Sequence, residues 1–381
     1  MHIKLYNSIA DSGTSKFSRN YAVGEDVSSP DGIMVRSAAL HEIEFNPELK
    51  AIARAGAGVN NIPVERCTDA GIVVFNTPGA NANAVKELVL CGLMLASRDI
   101  VEGSKWASGL TGDIAKQVEK GKSRYAGCEI KGKTLGVIGL GAIGAQVADM
   151  AINLGMEVIG YDPYISVDGA WKLNHHIRHA ANYDEVYEKS DYITIHVPVT
   201  PTTKGMINAK AFRKMKNGVR LLNFARADLV VASDLRNAIA DGKVAKYVTD
   251  FPTDELAGLE NTTLIPHLGA STEESEENCA AMAATQLIDY LENGNIRNSV
   301  NFPAVSMERS GKTRLCIFNR NIPDVISGIT SALSGTNIEN MTNKSRDNVA
   351  YNIVDIAGEV GAETISKLEA INGVIRVRVI H

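Results

Sequence analysis

An α/β fold built on a doubly wound parallel sheet is the expectation for this 381-residue chain, and three features predict it. Residues 134–162 read as strand, glycine-rich turn, helix and strand in that order. Strand-like and helix-like runs then alternate to about residue 265. A long helical pattern from Thr272 to about residue 291 follows, able to carry the chain back to a smaller first domain. From Gly311 the pattern changes to a compact α+β tail.

The glycine-rich turn is Gly139-x-Gly141-x-x-Gly144, entered from the apolar run 135–140. Gly139 permits the sharp turn out of the strand. Gly141 leaves no Cβ between backbone and a pyrophosphate, and Gly144 lets the helix approach the sheet. The free N–H groups of the first helical turn, at Ala142 and Ile143, then favour phosphate. Asp162 falls 23 residues after Gly139, at the end of the next strand. A carboxylate there accepts from ribose hydroxyls and repels a 2′-phosphate, which favours NAD over NADP. With both strands, the helix and the acid in place, a Rossmann dinucleotide domain is predicted over 99–272.

Composition narrows the function classes. A net charge of −5 and the lack of a dense basic run argue against nucleic acid. Five scattered cysteines without a CxxC pair fit reduced thiols, with Cys67, Cys91 and Cys279 read as small packed hydrophobes. The start resembles a strand more than a signal peptide, and the most apolar stretch, 88–96, is far short of a membrane span. A soluble cytoplasmic protein with no membrane partner is expected.

In chain order, strands are expected at 3–8, 32–35, 49–54 and 72–76, making a small α/β unit over 1–98. Between the last two lies Gly56-Ala57-Gly58, either a backbone cradle for a carboxylate or an ordinary turn. A helix is expected over 85–100, and 103–132 reads as a mixed polar crossing. Beyond Asp162, strands are expected at 192–197, 219–224, 246–251 and 264–265. Helices are expected at 209–215 and at 233–240, the latter started by Ser233. The return helix would complete the first domain through 273–305. Tail elements at 314–318, 325–333, 337–341, 349–356, 363–368 and 374–380 give the ferredoxin-like β-α-β-β-α-β order over 311–381. His175, His176 and His179 cluster locally, but no HExxH pattern completes them and no metal is predicted.

Three polar residues follow strands of the larger sheet: Arg226, Asp254 and His267. Convergence at its carboxyl edge would suit hydride transfer from a hydroxy acid. A bidentate arginine holds the substrate carboxylate, histidine takes the hydroxyl proton, and an acid behind it fixes the tautomer. Surface pairing, loop capping and an ordinary hydrogen-bonded histidine are the plainer alternatives.

At these residues the chain resembles the D-2-hydroxyacid dehydrogenase family. The matching stretches are RAGAGVNNIP (54–63), NTPGANANAVKE (76–87), EIKGKTLGVIGLGAIG (129–144), HVPVTPTTKGMI (196–207), LLNFAR (221–226), DFPTDE (250–255) and PHLGASTEE (266–274). The tail resembles an ACT domain, a small-ligand regulatory module. The resemblance implies a flavodoxin-like substrate domain that is discontinuous in sequence. It also implies oxidation of 3-phospho-D-glycerate by NAD to 3-phosphohydroxypyruvate, in serine biosynthesis. Hydroxypyruvate or glyoxylate reduction and a non-catalytic NAD-responsive protein are the competing readings.

By the same resemblance, Arg226 binds the substrate carboxylate with help from Ala57 and Gly58. His267 is the acid/base, Asp254 its partner with Glu255 as the neighbouring candidate, and Arg54 meets the phosphate, with Asn81 also lining the substrate. His196, Pro198, Thr203, Phe224, Ala225, Asp250 and Gly269 join the glycine loop in lining NAD, and a homodimer or higher homo-oligomer is implied. Three departures stand out. Asp254 replaces the family's usual glutamate, and Ala227 replaces the glycine after the arginine. The ACT pattern His-x-Asn-x-Pro-Gly here reads Asn319-Arg320-Asn321-Ile322-Pro323-Asp324. Asn321 and Asn337 match the effector-contacting asparagines of that module.

Overall fold

The computed structural model, which describes residues 1–381, holds three sheets. They fall in two units, Met1–Asn81 together with Glu273–His381, and Ala82–Thr272.

The first unit begins with β1 (His2–Tyr6), the short helix α1 (Asp11–Thr14), β2 (Ala22–Gly24), β3 (Gly32–Val35) and β4 (Ala51–Arg54). Helix α2 (Val64–Asp69) and β5 (Val73–Phe75) complete it. The strands pair in parallel in the order β2-β1-β3-β4-β5, the flavodoxin order. Strand β2 has no counterpart among the four expected strands. Three residues ending in glycine are too few to display alternation.

Helix α3 (Ala82–Ser97) opens the second unit. Its apolar face (Val85, Val89, Leu93, Ala96) packs with Leu135, Val137, Leu222 and Phe224, so the chain divides before this helix and not near residue 98. The stretch read as a polar crossing contains α4 (Ile100–Ser108) and α5 (Ile114–Gly121). Neither buries a residue, and each is only eight or nine residues long, too short for a repeated helical period to stand out. Next come β6 (Thr134–Ile138), α6 (Ala142–Asn153), β7 (Glu157–Tyr161), α7 (Val167–Lys172), β8 (Arg178–His179) and α8 (Tyr183–Lys189). They are followed by β9 (Tyr192–Ile195), α9 (Ala209–Lys214), β10 (Val219–Asn223), α10 (Ala232–Ala240), β11 (Val244–Thr249) and β12 (Thr262–Leu264). The seven strands are parallel in the order β12-β11-β10-β9-β6-β7-β8. Strand order reverses between β6 and β9, which is where doubly wound sheets bind ligands.

Some local expectations differ. Helix α10 begins at Ala232 behind Val231, so Ser233 lies inside its first turn instead of capping it. His175 and His176 lie side by side in a turn with tilted rings, centroids 4.1 Å apart, while His179 lies in β8, so they do not share a helix face. No group of three or more His, Cys, Asp or Glu side chains is arranged to hold a metal. All five cysteines are free; Cys67 and Cys279 are buried, but Cys91 is exposed and packs in no core.

The return helix α11 (Glu273–Asn293) has Glu273, Glu274 and Glu276 in its first turn, where acids complement the helix dipole. The tail contains β13 (Thr313–Arg320), α12 (Val325–Ala332), β14 (Ile338–Arg346), β15 (Val349–Ile356), α13 (Ala362–Glu369) and β16 (Val374–Ile380). Its antiparallel order β14-β15-β13-β16 is that of an ACT-like sheet. One face packs on α12 and α13. The other face, with Cys316, Phe318, Tyr351 and Ile353, joins Phe75, Leu287, Tyr290 and Phe302 in one core. The tail is therefore integral to the first unit.

Polar contacts fix that join. Arg378 donates to the Tyr290 carbonyl at 2.8 Å and also to the Leu291 carbonyl. Arg314 Nη1 donates to the Asn293 carbonyl at 2.7 Å, and the Tyr351 hydroxyl to that of Gly294 at 2.6 Å. The carbonyls at the C-terminal end of α11 and at Gly294 just beyond it are thus capped by the tail's sheet, largely by cations suited to that end; that of Tyr290 also accepts from the Gly294 N–H at 2.8 Å. Arg314 also grips Asp355 through two bonds of 2.6 and 2.8 Å, both side chains fully buried. Burial alone would raise the Asp355 carboxyl, but the Arg314 hydrogen bonds and charge outweigh it and hold it below the usual range.

Candidate active site

The glycine loop is shaped by contacts of its own. Gly139 has φ +90°, and a Cβ there would stand 2.6 Å from the His196 carbonyl oxygen. A Cβ on Gly144 would overlap the Gly139 carbonyl oxygen. Gly141 instead borders open space, with nothing within 4 Å of its missing Cβ. Ala142 and Ile143 follow as the first residues of α6. Asp162, just past β7, accepts from the Leu140 N–H and the Tyr164 N–H, each at 2.9 Å. Its carboxylate is thereby tied to the loop it serves and keeps lone pairs on both oxygens.

Across the switch point, the His196 Nε2 lies 2.9 Å from Thr194 Oγ1. Burial lowers this imidazole to about 3, so it is neutral near pH 7. The Thr203 hydroxyl donates to the Pro198 carbonyl at 2.6 Å and accepts from the Thr200 N–H at 2.8 Å, closing the turn after β9.

Strands β10, β11 and β12 are neighbours, so the loops that leave them share one sheet edge. There the Phe251 ring is a shared neighbour of Arg226 and His267. Its centroid is 5.6 Å from the Arg226 guanidinium carbon and 4.5 Å from the His267 ring. Asn223 shapes the first loop, accepting from the N–H groups of Ala225 and Arg226 and donating to the Arg226 carbonyl at 2.8 Å. Buried Phe224 packs against α3, where a Cβ on Gly92 would lie 2.7 Å from its ring. Ala227 opens a short 3-10 turn, so the missing glycine strains nothing.

Asp250 is buried beside this pair. One of its oxygens accepts from the Gly269 N–H at 2.9 Å, and the other has no protein partner. Burial raises its carboxyl above the ordinary range, against the pull of that hydrogen bond and of the His267 and Arg226 charges. Asp254 is exposed, and neither it nor Glu255 is hydrogen-bonded to His267. Glu255 lines a cavity of about 130 Å³ with Ala227, Asp228, Tyr247 and Thr253.

The first unit presents the second glycine loop. Gly56 has φ +151°, and the Arg54 guanidinium occupies the place a Cβ would take. The Ala57 and Gly58 N–H groups donate to no backbone carbonyl. Asn81 is the last residue before α3. The two asparagines of the tail do not meet. Asn321 follows β13 and Asn337 precedes β14; these strands run the same way on either side of β15, so the residues lie at opposite ends, roughly 25 Å apart. Asp324 adopts φ +68°, keeping a left-handed turn where the module has glycine.

Comparison with known proteins decides the lineage. Residues 91–269 match the family described as D-isomer specific 2-hydroxyacid dehydrogenase, NAD binding domain. The D-3-phosphoglycerate dehydrogenase of Haemophilus influenzae is 31% identical over 356 residues, covering 89% of this chain and 83% of that protein. The chain belongs to the D-isomer-specific 2-hydroxyacid dehydrogenase family. The D-3-phosphoglycerate dehydrogenase of Methanocaldococcus jannaschii is 36% identical over 299 residues, 76% of this chain. The chain spans only 55% of the length of that relative and of the one from Synechocystis. The NAD-bound 3-phosphoglycerate dehydrogenase of Entamoeba histolytica aligns with a TM-score of 0.61 at 27% identity, over 79% of this chain and 98% of that one. D-mandelate dehydrogenase of Rhodotorula graminis shares the fold alone, at 21% identity and a TM-score of 0.68.

The second unit of this dehydrogenase family member carries the NAD-binding domain, and the open space at Gly141 fits a pyrophosphate. Sequence reading missed Phe251, although its place directly after Asp250 at a strand end was visible. It also missed the part that Asn76 and Thr77 play in holding the Gly56 loop, although both open the matching stretch at 76–87, and it missed Gln286, which holds Asn76 and which no motif marks.

Proposed function

We propose that the chain oxidises 3-phospho-D-glycerate with NAD to 3-phosphohydroxypyruvate, the entry step of serine biosynthesis. The observation that carries this reading is the approach of both Arg226 and His267 to the Phe251 ring at one sheet edge, in a chain whose curated relatives include several D-3-phosphoglycerate dehydrogenases. Arg226 binds the substrate carboxylate and aligns C2, with the Ala57 and Gly58 N–H groups as a second cradle. His267 takes the hydroxyl proton as C2 is oxidised, and Asp254 stabilises the imidazolium. Arg54 meets the phosphate, and Asn81 lines the substrate. NAD, when bound, supplies the acceptor for the C2 hydrogen with its electron pair. Gly139, Gly141, Ala142, Ile143 and Gly144 would hold the pyrophosphate, and Asp162 would accept from the ribose hydroxyls. His196, Pro198, Thr203, Phe224, Ala225, Asp250 and Gly269 line the remainder.

The chain works as a homo-oligomer in the cytoplasm. Exposed Ile100 and Ile114 on α4 and α5 supply apolar surface for assembly, and five free thiols suit a reducing compartment. No helix is long and apolar enough to cross a membrane. Asn321 and Asn337, if they hold one effector, do so with residues of a second copy.

The test is NADH formation with 3-phosphoglycerate at alkaline pH with a carbonyl trap, beside D-glycerate and D-lactate. The phosphorylated acid is expected to win. His267→Ala should reduce kcat by about 10²–10⁴-fold. Equal or faster turnover of the unphosphorylated acids would assign a general hydroxyacid dehydrogenase instead. A shifted acidic limb of the pH profile in Asp254→Asn, absent in Glu255→Gln, identifies the partner of His267.

A further inference from the structure

The Gly56 loop is held by residues distant in sequence. Its Gly56 carbonyl accepts from the Thr77 N–H at 3.1 Å, and the Ala57 carbonyl accepts from Asn76 Nδ2 at 2.7 Å. Asn76 is itself held: its N–H donates to the Asn298 carbonyl at 3.3 Å, and its carbonyl accepts from Gln286 Nε2 at 3.0 Å. Gln286 projects from α11 and is buried. Its Oε1 is buried without a partner. A buried amide with one unsatisfied acceptor is less stable at a core position than leucine or methionine. What the glutamine supplies that they lack is the Nε2 donor.

We infer that Gln286 and Asn76 are positioning residues, acting in series to orient the Ala57 and Gly58 N–H groups toward the substrate carboxylate. The chain of contacts runs from α11 through Gln286 to the Asn76 carbonyl, then through Asn76 Nδ2 to the Ala57 carbonyl. The register of α11 is set about one to two turns further on, where Arg378, Arg314 and Tyr351 cap its carbonyls. The tail's sheet thereby bears on substrate affinity through a rigid helix, without touching substrate. This inference rests on the proposed role of the Ala57–Gly58 backbone.

The experiment compares Gln286→Met, which keeps volume and removes the donor, with Asn76→Ala and the double variant. Each single change should raise KM for 3-phosphoglycerate about five- to tenfold, the worth of one hydrogen bond. Turnover and NAD affinity should stay within about twofold, a split that general loss of structure does not produce. Because the two act in series, the double variant should match Asn76→Ala alone. Amide hydrogen exchange at residues 55–60 should quicken in Gln286→Met; unchanged exchange overturns the inference even if that variant is too unstable for kinetics. An increase in KM in Asn76→Ala but not in Gln286→Met, or fully additive effects, overturns the relay and leaves the cradle standing. No change in either, while Arg226→Ala still raises KM, overturns the cradle itself.

Discussion

Two glycine loops leave two parallel sheets, and different forces hold them. The loop of Gly139, Gly141 and Gly144 is shaped mainly by its own backbone, together with the ends of the two flanking strands at Asp162 and His196. Its turn needs a positive φ, and Gly144 fits only because the Gly139 carbonyl meets no side chain. The loop of Gly56, Ala57 and Gly58 is shaped from outside, by Asn76, Thr77 and, through Asn76, by Gln286 on a helix some 230 residues later. Local sterics are written in a short stretch of sequence; hydrogen bonds across a fold are not.

The largest effect should come from breaking the first loop. In Gly144→Ala the new Cβ meets backbone that cannot yield, so stability should fall by about 3 kcal/mol and NAD binding should be lost. Gly141→Ala sharpens the point, because its Cβ enters open space. The melting temperature should hold while NAD affinity falls, as thermal unfolding and cofactor titration would reveal.

The second loop should be reachable from the tail. Arg314→Met strands the buried Asp355 carboxylate and uncaps α11, at a loss of roughly 3–5 kcal/mol in denaturant unfolding. Adding Asp355→Leu should recover most of that loss. A detachable tail would give a separate transition for the four-stranded sheet and leave the rest unchanged. The shared core predicts that the five-stranded and four-stranded sheets unfold together.

A smaller effect concerns His196, on the wall of the first loop. Its imidazole is held near 3 in the folded chain against about 6.5 unfolded, so the unfolded chain binds the extra proton between those values. This contribution is complete above pH 6.5 and declines as pH falls toward 3, with a slope of at most about 1.4 kcal/mol per unit. His196→Gln should flatten the stability profile over that window. An unchanged profile would place the imidazole in water.

Legibility followed the same division. Strand β3, strand β15 and strand β16 match their sequence boundaries residue for residue, because each is rich in β-branched and other apolar residues and begins just after turn residues. Helices α4 and α5 were missed because each is only eight or nine residues long within a polar stretch, and β2 because it is three residues long. Arg226 and His267 could be singled out because each follows a strand of one parallel sheet, whose order brings its carboxyl ends to one edge. That Phe251 neighbours both, with Asp250 buried alongside, follows from side-chain packing that no spacing encodes.

By itself the amino-acid sequence determined the dinucleotide loop, the alternation that makes a doubly wound sheet, and the β-α-β-β-α-β order of the tail. Each is written in short-range periodicity and in residues whose backbone limits are intrinsic. Only the tertiary structure decided that α3 belongs with the second sheet, that Asn321 and Asn337 lie at opposite ends of theirs, and that the tail caps α11 and shares its core. Those outcomes depend on which apolar face finds which partner and on which carbonyl is left without a helical donor, quantities fixed only when distant segments meet.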